Sequence, residues 1–355
     1  MTDTGSTLYR PVHFNREFFA GRMLERFQEN YPKIWTDLSL EQRGMVREEF
    51  ISSISNLEES LATGIPAFLI AHARWVQSRF IAESFPADFP VTFFKIFKEI
   101  VSEGLPEDYR KDAAAFAKKA VSSLKSAPGD PPAASDDGTI LSPKAQAFLS
   151  FILNGEVAKA RGVIDRELAD GTPFHDIYSG IFSPVLLETG RLWQQNKVTI
   201  AQEHFVTDVI RRIMEQLHNH IIGTNRMTRK KKTVVAACAG GELHDVGLRM
   251  VGDFFELDGW NVYYIGANTP ARSILAALRD QKADLLILSI TMPTHLSDLR
   301  YLIRSLRADE ATAQVKVIVG GSPFAIIPDL WKQVGADAVA ASPEGAVTTA
   351  NRLIT

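Results

Sequence analysis

Along the first third of the chain, apolar residues recur three and four positions apart, as in Phe68, Leu69, His72, Trp75, Val76, Arg79 and Phe80. With breaks at Gly64-Ile65-Pro66 and Phe85-Pro86, this spacing predicts five or six helices and no strands in an all-helical domain over residues 1–125. The rhythm stops at "SAPGDPPAASDDGTILSP", which is crowded with Pro, Gly, Ser and Asp and reads as a flexible linker over 126–142. Helical spacing then resumes through "AQAFLSFILNGEVAKARGVIDREL" and "DIYSGIFSPVLLETGRLWQQ" to "TIAQEHFVTDVIRRIMEQLHNHII", giving four helices joined by short turns over 143–225. Thr199 and Gln202 form a capping box that starts the last of them at Ile200. Trp193 is thereby placed at one helix end, and Glu203 and His204 in the first turn of the next.

Beyond the basic stretch "RMTRKKK" the pattern changes to short apolar runs: "TVVAAC", "NVYYIG", "DLLILSI", "VKVIVGG" and "DAVAA". Amphipathic stretches such as "SILAALRDQ" separate them. Unbroken apolar runs of this length predict strands covered on both faces, and hence a parallel sheet with crossover helices. Five strands and five helices over 230–355 specify a flavodoxin-like doubly wound domain with strand order 2-1-3-4-5. No repeat of solenoid type is present.

A chain of 355 residues with 45% apolar residues holds more than one core. The formal charge of −3 supplies no general drive toward nucleic acid or anionic lipid, and "RKKK" at 229–232 reads as a solvated hinge. The single cysteine, Cys238, excludes a disulfide framework and a cysteine-built zinc site. No run reaches the roughly 20 apolar residues of a spanning helix, and the first residues lack a basic flank followed by an apolar core. The expectation is a soluble, cytoplasmic protein with no membrane partner.

In a doubly wound sheet, ligands bind beyond the carboxyl ends of strands 1, 3 and 4. His244 follows strand 1, Ser289 ends strand 3, and Gly320-Gly321 end strand 4. Singly, each has an ordinary reading as a solvated loop residue, a strand end or a turn; together they converge on one pocket. The loop "AGGELHDVG", with Glu242, His244, Asp245, Val246 and Gly247, is neither a dinucleotide fingerprint nor a phosphate loop. It offers one imidazole with Glu242 near enough to orient it. One protein ligand is too few to capture a free ion, so a metal bound here would arrive inside a macrocycle.

The pattern Glu242-Leu-His244-Asp-Val-Gly247, with Ser289 and Gly320-Gly321, resembles the D-x-H-x-x-G, S-x-L, G-G signature of base-off/His-on cobalamin-binding domains. The resemblance implies that His244 replaces the nucleotide base as lower cobalt ligand, that Ser289 lies beside the buried nucleotide tail, and that Gly320 and Gly321 leave room for it. Glu242 stands where that family has aspartate, and Thr291 where it has leucine. The spacing from Trp193 to Glu203-His204 is similar to that in adenosylcobalamin photoreceptors of the CarH/LitR type. There the tryptophan packs on the adenosyl group and the Glu-His pair lines the same cavity. Gln194 departs from the best-known members, which carry a histidine there that captures cobalt after light; no such adduct is expected through position 194.

What the resemblance implies is a light sensor holding adenosylcobalamin, acting through oligomerisation or a protein partner and not itself an enzyme. The DNA-binding module of the CarH type has no counterpart in residues 1–124, so direct nucleic-acid binding is not expected. Photocobilins instead join such a core to a helical bilin-binding domain. By that likeness "IPAFLIAHARWVQSRF" lines a site for noncovalent biliverdin, with His72 and Trp75 as wall and Arg74 or Arg79 for propionates. Alternatives are a helical interaction domain with a packed His72, or haem on His72. At the level of function they are a corrinoid methyl-carrier subunit of a methyltransferase and a cobalamin- or haem-binding antirepressor. His13, His175, His218, His220 and His295 have no spacing that assigns them.

Overall fold

The computed structural model describes residues 13–125, 141–224 and 230–354. They fall into two compact units, one on either side of the stretch around residue 136. The linker expected over 126–142 lies almost wholly outside the described residues, as do 226–229 of the basic hinge.

Among the described residues the first unit has six helices: α1 Arg16–Asn30, α2 Pro32–Asp37, α3 Leu40–Thr63, α4 Ala67–Ala82, α5 Phe89–Gly104 and α6 Glu107–Ser123. Its breaks follow local chemistry. Gly64 ends α3 in the left-handed conformation (φ 71°) that a residue without Cβ adopts at no steric cost. At the other end of α3, the Ser39–Gln42 capping box satisfies the N–H groups of these two residues reciprocally. Phenylalanine dominates the core, with Phe50 stacked on Phe93 at 4.0 Å and Phe27, Phe80, Phe89 and Phe97 fully buried. Two buried carboxylates on α3 are each tied to an arginine: Glu58 to Arg16 and Glu49 to Arg79.

The second unit begins with α7 Pro143–Leu153 and α8 Val157–Ala169. A third rod runs from α9 Phe174–Ile177 through a π-helical turn, Tyr178–Phe182, into α10 Ser183–Gln194. Pro184 lacks the N–H that a regular ladder would use, and the wider turn precedes it with Ser183 N–H donating to Tyr178 O. The fourth helix, α11 Ile200–Thr224, starts where the capping box places it, with Thr199 and Gln202 bonded both ways at 2.8 and 3.2 Å.

The strands are β1 Thr233–Cys238, β2 Asn261–Gly266, β3 Leu285–Ser289, β4 Lys316–Gly320 and β5 Ala338–Val339. All pair in parallel, in the order β2-β1-β3-β4-β5 expected from the sequence. The intervening helices are α12 Val246–Leu257, α13 Ala271–Asp280, α14 Leu296–Ala308 and α17 Pro343–Leu353. Between β4 and β5 the chain makes two short helices, α15 Ser322–Ile326 and α16 Leu330–Val334, where the sequence reading has one. α12 has two apolar faces, which joins the helical segment to the sheet. Val246, Met250 and Phe254 enter the helical core, while Leu248 and Phe255 enter the sheet core.

Candidate functional site at the carboxyl edge of the sheet

Register fixes the site. Cys238 is paired with Ser289, and Ser289 with Gly320, so the ends of β1, β3 and β4 stand side by side. The loop after β1 turns at Gly241 (φ 83°), whose N–H donates to Asn268 Oδ1 at 2.9 Å. A Cβ on Gly241 would come within 2.8 Å of the His295 ring, so that ring packs directly over the turn.

Immediately after it, Glu242 is fully buried and its carboxylate accepts four hydrogen bonds. Oε1 takes the backbone N–H of His244 at 2.9 Å and its Nδ1–H at 2.5 Å; Oε2 takes the N–H of Thr291 at 2.5 Å and of Met292 at 3.1 Å. Burial pushes this carboxyl up, but the hydrogen bonds outweigh it and bring its pKa down to about 2. The bond to Glu242 raises the pKa of His244 against the opposing effect of burial. Glu242 thus clamps the β1 loop to the β3 loop and fixes the imidazole by Nδ1, leaving Nε2 for a ligand. The next residue is also tied: Asp245 accepts from Arg211 of α11 at 2.8 Å and from the Tyr264 hydroxyl at 3.1 Å.

His244, 60% exposed at its side chain, opens onto a cavity of about 840 Å³ between the helical segment and the sheet edge. Asp245, Val246, Gly247, Ser289, Thr291, Gly320 and Gly321 line it, and Trp193, Glu203 and His204 line it from the helices. Glu203 accepts from the Thr207 hydroxyl at 3.0 Å and lies 3.5 Å from His204 Nε2, and its charge adds to the upward shift of His244. Leu187, Ile200 and Leu243, all well exposed, complete an apolar wall.

Residues 145–218 and 232–350 each match a family described as "B12 binding domain". Over 218 residues the chain is 26% identical to "Dimethylamine corrinoid protein 1" of Methanosarcina acetivorans, a match spanning 61% of this chain and 94% of that protein. It is 31% identical over 126 residues to "Dimethylamine corrinoid protein 3" of Methanosarcina mazei, spanning 35% of this chain and 74% of that protein. The chain belongs to the B12-binding corrinoid protein family. The solved monomethylamine corrinoid protein of Methanosarcina barkeri shares the fold, with a TM-score of 0.52 at 22% identity over 58% of this chain and 96% of that one.

The residues of this corrinoid protein fit the cofactor. A macrocycle needs one protein nitrogen and open space, and both are present: His244, held through Nδ1, lines the cavity, and a Cβ built on Gly247 would meet no described atom within 4 Å. Gly320 and Gly321 serve closeness of a different kind. A Cβ at Gly320 would lie 3.0 Å from Ala340 O, and one at Gly321 (φ 106°) only 1.9 Å from Ile290 O. The glycines let neighbouring backbones approach behind the cavity.

Gln194 does not line the cavity, and its buried Nε2 has no hydrogen-bond partner among the described residues. Sequence reading missed Arg211, Thr207 and Asp208, which line the cavity beside His204. The signal was available, because Ile200, His204, Thr207 and Arg211 are spaced three and four apart on one helix face.

In the six-helix unit, His72 is packed among polar partners. Its Nε2 lies 3.0 Å from Ser53 Oγ and 4.0 Å from Glu49 Oε2, and its ring stacks on Trp75 at 5.9 Å. Burial pushes its pKa down to about 4, and burial pushes Glu49 up to about 7 against the pull of Arg79. Arg79 is committed to Glu49 at 2.7 Å and stands over the Trp75 ring; Arg74 is half-buried on the same helix. No described helix is long and apolar enough to cross a membrane.

Proposed function

We propose that this corrinoid protein binds its cofactor base-off with His244 as the lower cobalt ligand, and that it works as a light-responsive regulator. The observation that carries the first part is the Glu242–His244 pair, with Nδ1 held by a buried carboxylate and the imidazole lining the cavity. That bond selects the tautomer and strengthens the free nitrogen as a donor. Ser289, Gly320 and Gly321 would border the nucleotide tail at the ends of β3 and β4.

The regulator reading rests on the opposite wall. Trp193 supplies a broad aromatic face, Leu187, Ile200 and Leu243 exclude water, and Glu203 with His204 offers polar contacts suited to a bulky group such as adenosyl. Bound adenosylcobalamin would supply a light-labile cobalt–carbon bond. The Arg211–Asp245 ion pair links α11 to the His244 loop, so a shift of that helix changes a contact one residue from the ligand. Output would then pass through oligomerisation or a protein partner. The test is the absorption spectrum of protein reconstituted with adenosylcobalamin, before and after green light; an unchanged spectrum removes this reading. A noncovalent bilin on α4, near His72, Trp75, Arg74 and Arg79, belongs to the same proposal, and extraction of chromophores from protein purified from its host tests it. Recovery of haem or hydroxocobalamin alone would favour an antirepressor.

A second reading, the methyl-carrier subunit of a methyltransferase, is favoured by the relatives, which are named dimethylamine corrinoid proteins. Against it stands more than a third of this chain outside the longer match. Dark turnover of methylcobalamin on the protein in host extract, with no spectral response of the adenosyl form to light, would establish the carrier.

A further inference from the structure

The contact between α11 and α12 holds a group of metal-ligating side chains that the corrinoid site does not use. α11 contributes His218; α12 contributes Asp253 and Glu256, three residues apart and so on one helix face. His218 Nδ1 lies 3.3 Å from Asp253 Oδ1 and 3.2 Å from Glu256 Oε2, and the three atoms are all within 4.8 Å of one another.

Asp253 is 1% exposed, and its two oxygens have different surroundings. Oδ2 accepts from the Tyr178 hydroxyl at 2.7 Å, while Oδ1 accepts no hydrogen bond among the described residues and stands in ion-pair range of His218 and Arg249. A carboxylate oriented through one oxygen and presenting the other beside an imidazole is how outer-shell partners prepare metal ligands. Nitrogen and oxygen ligands about 2.0–2.2 Å from zinc, at tetrahedral corners, stand roughly 3.3–3.6 Å apart. Both imidazole–carboxylate separations lie close to that edge length.

Arg249 approaches from the side, with Nε 3.4 Å from Asp253 Oδ1 and a terminal nitrogen 3.4 Å from His218 Nδ1. A divalent cation would meet one imidazole and two carboxylates at this contact.

We propose that His218, Asp253 and Glu256 form a second metal site, for one divalent cation of the zinc type, that fastens α11, the last helix before the sheet, to α12. One imidazole and two carboxylates suit zinc better than calcium or magnesium, which take oxygen ligands. Three protein ligands leave a fourth corner for water. This proposal is independent of what the corrinoid does.

The test uses the full chain without corrinoid, stripped with a chelator, equilibrated with zinc chloride and desalted, its zinc content then measured by mass spectrometry. The expected result is one zinc per chain in the wild type and at least a tenfold loss of affinity in His218→Gln and Glu256→Gln. Zinc should also raise the melting temperature of the wild type and not of either variant. Should His218→Gln fail to fold, Glu256→Gln, which keeps shape and changes only charge, decides. Substoichiometric zinc in the wild type, or equal retention in a folded variant, overturns the site and leaves a network of polar side chains between the two helices.

Discussion

Gly247→Ala separates folding from cofactor binding. Gly247 is the second residue of α12 and lines the cavity, and a Cβ there would meet nothing within 4 Å. An alanine in a helix is favoured over glycine by about 0.5–1 kcal/mol, so the corrinoid-free variant should be as stable as the wild type or more stable by up to that amount. The same methyl group projects into the space assigned to the corrinoid. Overfilling a fitted space typically costs about 1–3 kcal/mol, which corresponds to roughly 5- to 150-fold weaker binding. Urea unfolding of the corrinoid-free protein and spectroscopic titration with hydroxocobalamin read the two quantities separately. Gly321→Ala is the counterpart. At φ 106°, with Ile290 O only 1.9 Å from the new Cβ, the backbone itself must move, and stability should fall by at least about 2 kcal/mol. If Gly247→Ala left corrinoid affinity unchanged or tightened it, the cavity wall before the His244 loop would not be where the cofactor lies.

Three further outcomes follow from the same geometry. The pKa of buried Glu242 is near 2 against an ordinary 4.5, so its stabilisation is fully present above about pH 4.5 and lost as pH falls toward 2. That difference is worth about 3 kcal/mol, and acid titration of corrinoid-free Glu242→Gln should lack this part of the slope. Removing the Tyr178 hydroxyl with Phe leaves Asp253 Oδ2 buried without its donor, which should cost about 1.5–3 kcal/mol in denaturant unfolding. Trp193→Ala should leave hydroxocobalamin binding unchanged and weaken adenosylcobalamin roughly tenfold, the worth of one aromatic stacking contact, in competitive titration. Equal weakening of both forms would mean that Trp193 supports the fold alone.

Local features were legible in the sequence where a residue's neighbours in the chain decide its conformation. The apolar runs became the five strands in the expected order; Gly64 and the Thr199–Gln202 box ended and began helices where expected. His244, Ser289 and Gly320 meet because parallel register follows from strand order. What escaped were partnerships that no spacing encodes. Arg211 reaches Asp245 across 34 positions, and His218 joins Asp253 and Glu256 only because α11 packs on α12. The π-helical turn at Tyr178–Phe182 also escaped, since its period differs by a fraction of a residue from the α-helix it interrupts. His72 could be singled out on α4, but whether its neighbours were ligand or protein depended on Ser53 and Glu49 from another helix.

The central claim is that His244 holds the cobalt. It is tested most directly by electron paramagnetic resonance of the reduced, paramagnetic cobalt form of the reconstituted protein. The sample is produced once with ordinary histidine and once with histidine labelled throughout with the heavier nitrogen isotope. With His244 as lower ligand, the nitrogen splitting should change from three lines to two on labelling and disappear from the His244→Ala spectrum. A splitting indifferent to the label would mean that the cofactor keeps its own base, and it would contradict the account.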